Sequence, residues 1–149
     1  MKEAIIGIDP GKTGAAALIH NTGYLVHDFD DVYTAASVIR EWWLEYAVIT
    51  AYIEKVHAMP MQGVSSMFSF GMNFGMWQGI LAALPMPVEF VSPQTWQAKI
   101  FSKYSATSSG KTQSLDVARA LFPLADLHLK KHHGRAEALL IARYGWDKS

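Results

Sequence analysis

Two carboxylates in this chain each close an apolar run: Asp9 ends "EAIIGID" and Glu54 ends "AVITAYIE". An acid at the end of a strand projects its carboxylate off the sheet, and Pro10-Gly11 turns the chain away and leaves space beside Asp9. An Asp in that position also serves to accept the amide hydrogens of a turn, so Asp9 alone leaves both uses open. Glu54 shifts the balance. If the two runs are neighbouring strands, the carboxylates end side by side, and paired carboxylates repel unless a divalent cation with oxygen ligands lies between them. A third group opens "HHGRAEALLIARYG", where His133 and Glu137 are four residues apart and share a helical face. Taken singly, each also reads as an ordinary surface residue. Two strand-end acids together with a His/Glu helix start form a candidate catalytic and metal-binding set: Asp9, Glu54, His133 and Glu137.

The same opening stretch, "IIGIDPGKTGAAALI", contains Gly-Lys-Thr, the ending of a phosphate-binding loop. Such a loop needs a glycine five residues before the Gly-Lys pair, so that successive amides wrap the phosphate. That position is Ile6, and Gly7 is one residue too close. In "SSGKTQS" the required position is Ser105. Neither stretch is a nucleotide loop, no nucleotide cofactor is expected, and Lys12 and Thr13 are expected to shape a hairpin beside Asp9.

The elements that must position these groups follow from pattern. "EAIIGID", "GAAALIH" and "YLVHDFD" are short strands joined by turns and read as a meander. "TAASVIREWWLEY" has helical spacing with Thr34 as its N-cap, "AVITAYIE" is a fourth strand, a long helix spans roughly 63–84, and "PVEFV" is a fifth strand. The rest is helical: "SPQTWQAKIF", begun by Ser92 and Pro93, then "GKTQSLDVARALF" and "GRAEALLIARYGW". The order β-β-β-α-β-α-β-α-α-α predicts an α/β fold, a mixed sheet with helices on its faces.

At 149 residues, half of them apolar, the chain suits a single domain of 1–149 with a substantial core. It has no cysteine, which excludes disulfides and thiolate metal sites and suits a reducing compartment. "MKEAIIGID" lacks a basic region followed by a long apolar segment, so no signal peptide is expected there. Residues 58–88 carry no charge, yet Gln62, Ser65, Ser66, Ser69, Asn73 and Gln78 interrupt the apolar pattern, so a buried or dimer-forming helix fits better than a membrane span. Gly71, Gly75 and Gly79 line one face of that helix, where another backbone can come close. Net charge is zero, but residues 1–97 hold four Lys/Arg against nine Asp/Glu, and residues 98–149 hold nine against four. An acidic half and a basic half match metal ligands on one side and a polyanion contact on the other, although uneven surface charge in a neutral protein has the same appearance.

The stretches "IIGIDPGKTGAAALI", "AYIEKV", "VSPQTW", "GKTQSLDVARALFP" and "HHGRAEALLIARYG", taken in order, resemble the RuvC-type Holliday junction resolvases of the RNase H-like nucleases, especially the bacteriophage members. The resemblance covers nearly the whole chain. It implies an RNase H-like five-stranded mixed sheet of order 3-2-1-4-5, a homodimer, and cleavage of branched DNA, four-way junctions above all, with Mg2+ or Mn2+, two per site. It places the protein in the cytoplasm of a bacterial cell or phage-infected host. By this resemblance Asp9 matches the first catalytic Asp, Glu54 the second acid, and Glu137 a last-helix acid that is commonly Asp. His133 stands where many relatives carry a further Asp, and three readings are open to it: metal ligand, proton relay or a weakened site. Lys99, Lys103, Lys111, Lys130, Lys131 and Arg135 become expected phosphate contacts. His57, in "KVHAMPMQG", becomes a candidate for stacking on unpaired bases. Two other classes compete: an ATP-binding fragment related to actin and sugar kinases, which nucleotide binding would reveal, and a junction-binding protein without catalysis, which a cleavage assay would reveal.

Overall fold

The computed structural model describes residues 1–55, 63–104 and 112–149. His57 and Lys111 lie outside the described residues, as does the rest of the 56–62 stretch. The strands are β1 (Glu3–Asp9), β2 (Ala15–His20), β3 (Gly23–Asp28), β4 (Ala47–Glu54) and β5 (Val88–Val91). The helices are α1 (Val32–Glu45), α2 (Val64–Ala82), α3 (Pro93–Lys103), α4 (Gln113–Leu121) and α5 (His133–Lys148). A 3-10 turn, Lys130–His132, leads into α5.

The strands form one sheet of order β3-β2-β1-β4-β5, the order implied by the family resemblance. The two hairpins are antiparallel, while β1 pairs β4 and β4 pairs β5 in parallel. A parallel neighbour requires a crossover, and α1 and α2 provide the two crossovers. Side chains alternate across the sheet. Ala4, Ile6, Ile8, Leu18, Ala51 and Ile53 pack with α1 and α2 on one face, around Ile39, Trp42 and Trp77. Ile5, Ala17, Ile19 and Tyr52 pack on the other face with α3, α4 and α5, around Trp96 and Leu139.

Helix α5 lies close against the sheet because glycine permits it. A Cβ on Gly7 would stand 2.3 Å from the Ala142 amide nitrogen, and one on Gly134 would stand 2.0 Å from the Thr13 carbonyl oxygen. The first turn of α5 therefore rests directly on the β1–β2 hairpin.

Two local expectations change. The N-cap of α1 is Asp31, not Thr34: Asp31 Oδ1 accepts the Thr34 amide at 2.9 Å and Oδ2 accepts the Thr34 hydroxyl at 2.8 Å. Asp is at least as good a cap as Thr, and Val32 can begin the helix once it is in place. In α2, Trp77, Ile80 and Leu81 are buried, and Val64, Met67, Phe68 and Met72 are exposed on the opposite side. At 100° per residue the latter four share a face with Gly71, Gly75 and Gly79, and a Cβ on any of those glycines would meet nothing within 4 Å. The glycine face is turned away from this chain's own core. Among the described residues, no helix is long and apolar enough to cross a membrane.

Candidate active site

Register sets the first pair of acids. Ile8 of β1 is opposite Ile53 of β4, so Asp9 and Glu54 leave neighbouring parallel strands at the same level. Alternation puts both on the face covered by α5, since Asp9 follows Ile5 and Gly7 by even steps and Glu54 follows Tyr52. The third acid comes from α5 itself. Glu137 lies one turn after His133, with His133 Nε2 3.2 Å from Glu137 Oε1. Gly134 between them allows this turn to settle on Thr13, four residues past Asp9. The structure thus brings Asp9, Glu54, Glu137 and His133 to one end of the sheet.

Each acid is held differently. Asp9 Oδ1 accepts the Gly11 amide at 3.0 Å, the turn-capping use considered above, which leaves its other oxygen for a second partner. Glu54 Oε2 accepts the indole N–H of Trp96 at 2.7 Å. Trp96 is fully buried on α3, whose start is fixed by the Ser92 hydroxyl accepting the Thr95 amide and by Pro93. Glu137 Oε2 is buried and has no hydrogen-bond partner among the described residues.

Burial raises all three carboxyl groups, and repulsion from neighbouring acids adds to the rise of Glu54 and Glu137. Asp9 is pushed up to about 6, mainly by loss of water, against the opposing effect of the Gly11 amide. Glu54 is pushed up to about 7 by burial, partly offset by the Trp96 hydrogen bond, with the Asp9 charge adding to the rise. Glu137 is pushed up to about 9 by burial and then by the charges of Asp9 and Glu54. Burial lowers His133, which favours its neutral form. Several acids that cannot all ionise together, one with an orphaned buried oxygen, are a poor arrangement for an empty site and a fitting one for divalent cations, which take carboxylate oxygens and cancel the repulsion.

Trp96 carries no signal of this role in the sequence, because a Trp near a helix start reads as core. The expected phosphate contacts divide into groups. Lys130 and Lys131 are exposed on the turn that leads into His133. Lys99 and Lys103 line a groove of about 430 Å³ with Tyr144 and Lys148, and Lys103 Nζ is 3.2 Å from Asp147. Arg135 is committed within the fold: Nε and Nη2 each donate to Asp28 at 2.7 Å, and Nη1 donates to the Asp126 carbonyl at 3.0 Å.

Comparison with known proteins bears on the fold. No family model matches the chain. Over 95 residues, 62% of this chain, it is 36% identical to the chloroplastic Holliday junction resolvase MOC1 of Chlamydomonas reinhardtii, and the match spans 10% of that protein. Thermus thermophilus RuvC in complex with a Holliday junction substrate superposes with a TM-score of 0.65 at 14% identity, covering 95% of this chain and 91% of that one. The Fowlpox virus resolvase in complex with Holliday junction DNA superposes with a TM-score of 0.53 at 16% identity, covering 97% of both chains. The chain has the RuvC-type RNase H-like fold, and the resemblance to RuvC-type resolvases read from its motifs holds.

Proposed function

We propose that this protein is a divalent-metal-dependent endonuclease that resolves four-way and other branched DNA by paired cuts as a homodimer. The meeting of Asp9, Glu54 and Glu137 at one end of the sheet, all with raised pKa values and with Glu137 Oε2 unpartnered, carries the reading. Its substrate class is supported by the similarity to a Holliday junction resolvase and by fold neighbours that hold junction DNA.

Asp9, Glu54 and Glu137 would hold two Mg2+ or Mn2+ ions, with His133 beside Glu137 as a further ligand or a proton carrier. Ions bound there supply a water of lowered pKa and neutralise charge that develops on the phosphate. The reaction joins a water oxygen to phosphorus, breaks the bond to the 3′ oxygen, and returns a proton to that leaving oxygen. Trp96 holds Glu54 Oε2, so that one carboxylate oxygen stays fixed while the other is free to ligate. His133, neutral near pH 7, is placed to accept or return a proton. Lys130 and Lys131 stand at the approach to this end and are suited to contact the backbone of an arm, as Lys99 and Lys103 are along their groove.

A junction with near two-fold symmetry needs two symmetric cuts, one from each protomer. The face of α2 that bears Phe68, Met72 and the open glycines supports self-association, with 68% of Phe68 and 58% of Met72 exposed. Incubation of a synthetic four-way junction, a Y-fork and a linear duplex with the protein and Mn2+ tests the substrate class. The junction should be cut in paired positions and the duplex left intact; cutting of duplex at an equal rate would overturn it.

A further inference from the structure

Apart from the acids at the sheet end, the segment before α5 gathers three side chains that the proposed function does not use. They are Asp126, His128 and His132, in the spacing Asp-x-His-x-x-x-His. One donor atom from each lies within 4.8 Å of the others. Asp126 Oδ1 is 2.5 Å from His128 Nδ1 and 3.8 Å from His132 Nδ1, and the two imidazole rings are 5.2 Å apart between centroids. We propose that Asp126, His128 and His132 form a second metal site that takes a borderline divalent cation of the Zn2+ class and joins the 126–132 segment to the start of α5.

Donor chemistry distinguishes this site from the acid cluster. Two imidazoles and one carboxylate suit Zn2+, Co2+ or Ni2+, whereas Mg2+ and Mn2+ favour oxygen-rich sets. Three protein ligands leave a fourth, tetrahedral position for water. The surroundings also fit a ligand set that is aimed in advance. Arg135 Nη1 is 3.3 Å from Asp126 Oδ2 and donates to the Asp126 carbonyl, so Oδ1 is the oxygen turned to the histidines. Arg135 is in turn fixed by its two 2.7 Å hydrogen bonds to Asp28 on the edge strand β3. Outer partners of this kind commonly orient a metal-binding carboxylate. His132 is buried, and Asp126 and His128 are exposed, so an ion could enter from solvent without opening the core. His132 Nδ1 accepts the Leu129 amide at 3.2 Å, and the ion would take that amide's place on the nitrogen lone pair.

The position gives such an ion a structural consequence. His132 immediately precedes His133, so an ion held there would fix the residue next to the acid cluster without sharing its ligands. The inference stands whether or not the protein cuts DNA. Calorimetric titration of the whole chain with Zn2+ alone tests it, on wild type, H128A, D126N and D9N. His128 is exposed, so H128A should melt as wild type does without metal; if it does not, D126N carries the comparison. H128A and D126N should each lose, or weaken at least tenfold, one Zn2+ equivalent that D9N keeps. Zn2+ binding by H128A and D126N with the stoichiometry and affinity of wild type would overturn the site.

Discussion

Carboxyl groups crowded into a partly dry site hold their protons, and this has a measurable sign. Metal-free, Glu137 titrates at about 9, Glu54 at about 7 and Asp9 at about 6. Unfolded carboxyls titrate near about 4. Between these values the three groups hold more protons in the folded chain than in the unfolded one, so their contribution to stability is fullest below about pH 4 and is lost as pH rises towards the folded values. Replacing Glu137 by Gln removes the largest of these losses. In EDTA, E137Q should melt higher than wild type at pH 8 by several degrees, since about 1 kcal/mol moves Tm by about 2–4 °C at this size. The gap should close near pH 4, and Mn2+ should reverse it by stabilising wild type alone. A lower Tm for E137Q at pH 8 in EDTA would contradict the electrostatic reading.

Trp96 is tested at the same scale. W96F keeps an aromatic ring in the core and deletes the donor to Glu54. It should lower cutting by about 10- to 100-fold, as loss of an outer partner of a metal ligand does. It should also raise the Mn2+ concentration needed for half-maximal rate. Packing loss alone would lower Tm and leave that concentration unchanged. Asp9 and Glu54 were legible because each ends an apolar run. Trp96 was not, since its one polar atom meets Glu54 from 42 residues away. The hydrogen bonds of Arg135 to Asp28, 107 residues distant, are likewise invisible to local spacing.

At the scale of elements, the site depends on how closely α5 approaches the sheet. Gly134 holds this distance against the Thr13 carbonyl, and any side chain there must move backbone. G134A should destabilise the fold by about 1–3 kcal/mol, the usual cost of overpacking, and should displace Glu137 enough to reduce cutting further than the stability loss explains. Chemical denaturation beside single-turnover cleavage would separate the two effects. A stable, fully active G134A would refute this account of the α5 docking. The mixed sheet follows from the hairpin turns and the alternation of later strands with helices, whereas its strand order comes from the family resemblance. The start of α1 was misplaced by three residues because Asp31 and Thr34 are both sound caps and the two bond to each other. The glycine face of α2 was visible as a period, but its direction was not. That depends on Trp77, Ile80 and Leu81 winning the core, a comparison between two apolar faces that spacing cannot rank.

For the whole molecule, the proposed single site per chain and symmetric substrate would make the assembly part of the function. F68E places a charge in the middle of the exposed α2 face, far in sequence from Asp9, Glu54 and Glu137. Sedimentation at micromolar concentration should find wild type as a dimer and F68E as a monomer, with paired cutting replaced by slow single nicks. A wild-type monomer would remove the dimer from the account.

In the proposed function these acids, led by Asp9, perform metal-dependent hydrolysis of junction DNA. Cleavage and binding of one labelled four-way junction by wild type and D9N, each with Mn2+, test it most directly. The account predicts paired cuts by wild type, and binding by D9N within a few fold of wild type with cutting reduced at least a thousandfold, about 4 kcal/mol in the barrier. Undiminished cutting by D9N, or intact junction after incubation with wild type and Mn2+, would contradict it.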